Sequence, residues 1–257
     1  MKLSTSNILG VIPARFNSTR LSGKPLKLIG DKTMIEHVYL RANKVLENLV
    51  VATDDSRIYD KVKEFNGNVI LTDIDHLNGT SRCLEAFEKW SLEINKSFNY
   101  IINIQGDEPL LHSDHLNKLI GCFEDKEANF ATVALKIDSN NKMLKEKVCL
   151  VKDIHDYALY FSRNKIPFIR NHKEENINNQ QTFFQHVGIY GYSIEALKKF
   201  CSLPSSSLEN AEKLEQLRWL ENGGKIKVGI TNFPSYPVDT LEDLVEIRKK
   251  IDENHNL

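Results

Sequence analysis

With 257 residues, and 34 Lys plus Arg against 35 Asp plus Glu for a formal net charge of −1, the chain could form one large α/β domain or two unequal ones. It carries no basic field for nucleic acid, so any anion site has to be local. The cysteines Cys83, Cys122, Cys149 and Cys201 form no CxxC pair, which argues for reduced thiols, and neither a 20-residue apolar span nor a signal-peptide core is present, so a cytoplasmic protein with no membrane partner is expected.

Short apolar runs recur in chain order: ILGVI (8–12), LVVAT (49–53), NVILT (68–72) and YIINI (100–104), with helix-length amphipathic stretches between the first three. That alternation predicts βαβ units and an open, mainly parallel α/β sheet flanked by helices. Residues 33–46 and 56–65 are the expected crossover helices. Their polar faces, with Glu36, Arg41, Lys44, Arg57, Lys61 and Lys63, read as solvated surface.

After about residue 135 the rhythm changes. VCLVKD and YALYFSR read as strands around a turn, HKEENINNQQT as a mobile polar loop, and HVGIYGYS as a further strand. SLENAEKLEQLRWLENG reads as one helix ended by Gly223 and Gly224, followed by the strand KIKVGIT. The expected division is a nucleotide-binding α/β core of residues 1–136 and 216–257, with a smaller subdomain at 137–215.

The first strand runs directly into PARFNSTRLSGKPL, so Arg15, Arg20 and Lys24 sit in a loop at the strand's carboxyl end, where open α/β sheets bind ligands. Three cations within ten residues, with Ser18, Thr19, Ser22 and Gly23 between them, suit a triphosphate; an ordinary basic surface loop is the alternative. Gly23-Lys24 is followed by Pro25 and Gly10 lies too far upstream, so neither a Walker A loop nor a GxGxxG fingerprint is present. YIINI delivers Gln105, Gly106 and Asp107 to the same edge. A carboxylate there can hold Mg²⁺ or simply cap a helix. Asp239, before the helix expected from Leu241, reads on its local sequence as an N-cap, with Thr240 and Glu242 completing an ordinary helix start.

The loop PARFNSTRLSGKPL resembles the signature of sugar nucleotidyltransferases, specifically the cytidylyltransferases of 3-deoxy-manno-octulosonate (Kdo). VVATDDSRI, NGTSR, NIQGDEPL, YALYFSR, QHVGIYGY, AEKLEQLRWLENG and VDTLEDL match in the same order over residues 11–248. The resemblance implies a Rossmann-like nucleotidyltransferase sheet with a sugar-binding and dimerisation subdomain, and a homodimer using CTP, an acidic eight-carbon sugar and Mg²⁺. It implies catalytic Lys24, Asp107 and Asp239, the two aspartates being metal ligands. CTP contacts are expected at Pro13, Arg15, Ser18, Arg20, Lys24, Ala52, Thr53, Asp54, Gly79, Thr80 and Arg82. Sugar contacts are expected at Gln105, Arg163, His186, Tyr190, Glu215 and Gln216.

Two positions depart from the family. Ser81 stands where an acidic residue is usual, and Cys149 where a lysine is common. These departures keep open a cytidylyltransferase for another acidic sugar, such as amino-Kdo or a sialic-acid-like ulosonate. A catalytically silent nucleotide-binding protein is the rival from another class.

Overall fold

In the computed structural model, which describes residues 4–17, 20–138, 147–170 and 182–255, β1 (Ile8–Ala14) sends Ile8 and Ile12 to one face and Leu9 and Val11 to the other. All four are completely buried. A strand apolar on both sides belongs inside a sheet covered by helices on both faces. The polar stretch expected as a loop lies outside the described residues apart from Thr182.

A two-stranded hairpin, β2 (Leu28–Ile29) and β3 (Lys32–Thr33), leads into α1 (Met34–Ala42), β4 (Leu49–Thr53), α2 (Ser56–Glu64), β5 (Val69–Leu71), α3 (Gly79–Glu93) and β6 (Tyr100–Asn103). β4 pairs parallel with one edge of β1, placing Ala52 opposite Pro13, and β5 pairs parallel with β4. β6 pairs parallel with the other edge of β1. The order therefore reverses at β1, which opens a crevice at the carboxyl ends of β1 and β6.

The chain continues through α4 (Ser113–Cys122), β7 (Phe130–Asp138), β8 (Cys149–Lys152), β9 (Ala158–Ser162), β10 (Thr182–Ser193), α5 (Ile194–Ser202), α6 (Ser207–Glu212), α7 (Gln216–Glu221), β11 (Lys227–Thr231) and α8 (Leu241–His255). The sheet order is β11-β7-β10-β6-β1-β4-β5. β10 runs antiparallel to both its neighbours, β6 and β7, and β11 is parallel to β7. Six strands of this row thus point one way, the mainly parallel sheet expected. β8 and β9 form an antiparallel extension held on β10, so residues 137–215 supply both that extension and a full member of the central sheet.

One apolar layer packs α1, α2 and α4 on the sheet through Ile35, Val38, Ile58, Val62, Leu116 and Leu119. The opposite layer packs α3, α5 and α7 through Ala86, Trp90, Leu197, Phe200, Leu217 and Trp219. Each Val, Leu, Ile or Phe among them, fully buried, contributes about 1.5–3 kcal/mol relative to exposure. Among the described residues no helix is long and apolar enough to cross a membrane, and the four cysteines are free thiols.

The single helix expected over SLENAEKLEQLRWLENG is instead two, α6 and α7, because Lys213 adopts a left-handed conformation with φ of 52°. The break turns Glu215 inward, where its carboxylate accepts a 2.6 Å bond from the Thr80 hydroxyl. Gly223 follows α7 with φ of 76°, the left-handed residue that ends a helix as expected.

Candidate active site

The loop after β1 carries Arg15, Arg20 and Lys24 to the switch-point crevice, and all three line a cleft of about 400 Å³ with Pro13, Gln105, Asp107 and Asp239. Lys24 Nζ donates to Asp107 Oδ2 at 2.6 Å, to the Val238 carbonyl at 2.9 Å and to Asp239 Oδ1 at 3.2 Å. Arg20 Nη2 donates to the same Asp239 oxygen at 3.1 Å. Residues more than 80 and more than 200 positions apart in sequence thus meet around one ammonium. Ser18, expected in this set, lies outside the described residues.

Gly106 makes the turn between Gln105 and Asp107 possible, since a Cβ there would stand 3.0 Å from the Pro13 carbonyl. The turn brings the carboxylate against the phosphate loop. Asp107 caps no helix: the N-cap of α4 is His112, whose Nδ1 accepts from the Asp114 N–H.

Asp239 is not a cap either. Thr240 Oγ1 accepts from Asp243 N at 3.2 Å, while Asp243 Oδ2 accepts from the N–H groups of Thr240 and Asp239 at 2.8 and 2.9 Å. This reciprocal box satisfies the start of α8 and leaves the Asp239 side chain for Lys24 and Arg20. The segment that carries it is fastened to the Asp107 turn, because Val238 N donates to the Asp107 carbonyl at 2.9 Å. Glu108 adds a second fastening, accepting from Ser235 Oγ at 2.5 Å and from Tyr236 N at 3.2 Å. Burial pushes the Glu108 carboxyl up to about 7.

Among the described residues no group of three or more His, Cys, Asp or Glu side chains could hold a metal. Asp107 and Asp239 form a smaller set of the right chemistry. Two carboxylates converge on one cation, the Lys24 ammonium, and Mg²⁺ is commonly held by one or two carboxylates together with substrate phosphates. The residues fit Mg²⁺.

A second cleft, of about 420 Å³, shares Gln105, Asp107 and Asp239 with the first. Every residue expected at the sugar lines it: Gln105, Arg163, His186, Tyr190, Glu215 and Gln216. β10 pairs Tyr190 with Asn103 at the end of β6 and extends beyond it, and this stretch presents His186, Gly188 and Tyr190 to the cleft; its register against β7 shifts between Val187 and Tyr190. His186 Nε2 bonds Thr132 Oγ1 at 2.9 Å, and burial drives the imidazole down to about 3, so it is neutral. Tyr190 Oη donates to Gln216 Oε1 at 3.1 Å, and burial raises its phenol well above the usual value. Burial also raises the Glu215 carboxyl, opposed by the Thr80 hydroxyl.

The residues expected near the base take a different place. Ala52, Thr53, Thr80 and Arg82 are completely buried and line neither cleft. Arg82 donates to Asp54 Oδ2 at 2.9 Å and to Thr72 Oγ1 at 2.5 Å, a buried ion pair under the ends of β4 and α3. Gly79 lies against Pro13, where a Cβ would stand 3.2 Å from the ring. Ser81, at the departure from the family, donates its N–H to the N-cap Asn78 and pairs its hydroxyl with His76 at 3.1 Å.

Glu108, Lys147 and Gln185 also line the second cleft and were not expected there. Glu108 follows Asp107 directly, and that adjacency was the available signal. Lys147 and Gln185 gave none, because their places depend on how β8 meets β10.

A cytidylyltransferase family model matches residues 9–226. A protein of Fusobacterium nucleatum named 3-deoxy-manno-octulosonate cytidylyltransferase is 47% identical over 96% of this chain and 98% of its own length. A Shewanella protein named 8-amino-3,8-dideoxy-manno-octulosonate cytidylyltransferase is 41% identical over 95% and 97%. The solved structure of CMP:2-keto-3-deoxy-manno-octonic acid synthetase complexed with CTP superposes with a TM-score of 0.86 at 37% identity, covering 97% of this chain and all of that one.

Proposed function

Because the chain belongs to the cytidylyltransferase family, we propose that it transfers CMP from CTP to the anomeric hydroxyl of Kdo, giving CMP-Kdo and pyrophosphate for lipopolysaccharide or a related polysaccharide. The observation that carries this reading is the sharing of Gln105, Asp107 and Asp239 by two clefts, one basic and one lined by Arg163, His186, Tyr190 and Gln216. A transfer between a polyanion and a polyhydroxylated acid needs two such sites meeting at the reacting atoms. The Fusobacterium relative and the CTP-bound structure carry names of the same reaction.

In the proposed step the anomeric oxygen bonds to the α-phosphorus of CTP as that phosphorus loses its bond to the β-bridging oxygen. Pyrophosphate departs and the hydroxyl proton is released. Arg15, Arg20 and Lys24 face the triphosphate and take up the charge that grows on the leaving group. His186, neutral, and the Tyr190–Gln216 pair offer hydrogen bonds to sugar hydroxyls without adding charge. The buried edge at residues 52–54 and 79–80 would meet the cytosine through its backbone, with the Arg82–Asp54 pair holding that edge in place.

Asp107 and Asp239 would hold Mg²⁺, which supplies positive charge to the triphosphate and acidifies the attacking hydroxyl. A homodimer, a cytoplasmic location and a sugar-binding role for residues 137–215 complete the reading on the strength of the family resemblance.

Phosphorus NMR of products formed from CTP with Kdo, 8-amino-Kdo or a sialic acid tests it. Kdo is expected to give the CMP-sugar diester most efficiently. A diester formed from 8-amino-Kdo or sialic acid but not from Kdo would replace the acceptor, and no diester from any of them would reject the activity.

A further inference from the structure

The acceptor proposed above carries a carboxylate, and the floor of its cleft already holds Asp107, Glu108, Glu215 and Asp239. A further anion there needs a cation with a free head group. Arg163, the cation expected for it, is largely committed elsewhere: Nε donates to the Glu212 carbonyl at 2.7 Å and Nη2 to the Lys213 carbonyl at 3.2 Å. Cys149, on β8, is completely buried and brings no charge.

Two lysines line this cleft, Lys213 at the break between α6 and α7 and Lys147 just before β8, where it sits beside Gln185 and His186 on the lining. Among the described residues Lys147 forms no salt bridge.

We propose that Lys147 binds the carboxylate of the sugar acid and so selects acidic acceptors over neutral ones. This assignment rests on the transfer to an acidic sugar proposed above.

The test compares Kdo with its C1 carboxamide, which keeps the anomeric hydroxyl and removes the negative charge, in the full-length protein and in Lys147→Met. The parent should use the carboxylate roughly ten- to a hundredfold more efficiently in kcat/KM, the range of a hydrogen bond to a charged group. Lys147→Met should lose that factor for Kdo, treat the two sugars nearly alike and keep the parental KM for CTP. Lys147→Arg should retain the preference for the carboxylate. A merely structural lysine would lower both sugars together, so a Met variant with the parental ratio overturns the proposal while leaving the activity standing. Should the Met variant be unstable, Lys147→Gln repeats the comparison with a similar stem, and the same unchanged ratio overturns the proposal. A parent that uses neither sugar fails the proposed function itself, and this assignment with it.

Discussion

Lys24 Nζ stands 2.6 Å from Asp107 Oδ2, and only 14% of the lysine side chain is exposed. The same ammonium reaches Asp239 at 3.2 Å, so it neutralises two carboxylates that would otherwise repel each other. Lys24→Met is expected to lower kcat/KM for CTP by about a hundredfold or more, since it removes a cation facing a polyanion. Stability should fall as well, by about 1–3 kcal/mol, because the largely covered Asp107 carboxylate loses its partner and faces Asp239 unneutralised. Steady-state kinetics and a thermal melt on one preparation check both parts.

Asp239→Asn separates charge from helix capping. Thr240 and Asp243 already close the start of α8, so the amide should leave the melting temperature near the parent's. Turnover should nevertheless fall by orders of magnitude, because a neutral side chain forfeits a charge opposite Lys24, Arg20 and the proposed metal. A variant with more than about a tenth of parental turnover at saturating magnesium, a loss of less than about 1.4 kcal/mol, would contradict the metal role.

Arg82→Met should be the most destabilising of these substitutions. It leaves the Asp54 carboxylate, whose side chain is only 12% exposed, without its partner, and breaking a buried pair costs about 3–5 kcal/mol. Urea denaturation should show a clearly lower midpoint. Asp54→Asn, which keeps an acceptor for the guanidinium, should cost less.

His186 makes stability depend on pH. Its folded pKa is lowered from 6.5 to about 3 by burial, so between those values the unfolded chain binds more protons than the folded one. Stability is therefore full above about pH 6.5 and declines as the pH falls toward 3, at no more than about 1.4 kcal/mol per pH unit from this group. His186→Asn should flatten that part of the curve, as measured by denaturant midpoints across pH 4–7.

The strands at 49–53 and 100–103 and the helix at 56–64 were legible because each is a short apolar run or an amphipathic turn pattern that local sequence alone decides. β7 (Phe130–Asp138) was missed: its first half is a run of apolar and small residues, and only Leu135 to Asp138 alternate, too few to stand out. The break at Lys213 was also hidden, since neither glycine nor asparagine marks its left-handed backbone. Order along the chain was enough to propose the six sugar-cleft residues as a set. That Lys24 would lie between Asp107 and Asp239 was not readable, because it depends on the Val238–Asp107 backbone bond that fastens two distant turns. Asp239 illustrates the limit best, since its local sequence favours a helix cap and the cap turned out to be its neighbour Thr240.

The central claim is cytidylyl transfer to Kdo, and pyrophosphate release from the purified protein tests it most directly. With CTP, Kdo and magnesium together, release should be rapid; it should fall to background when Kdo is omitted or EDTA is added, and UTP should support it at least about tenfold less well. Release that proceeds equally well without Kdo, or none with all three components present, would contradict the account.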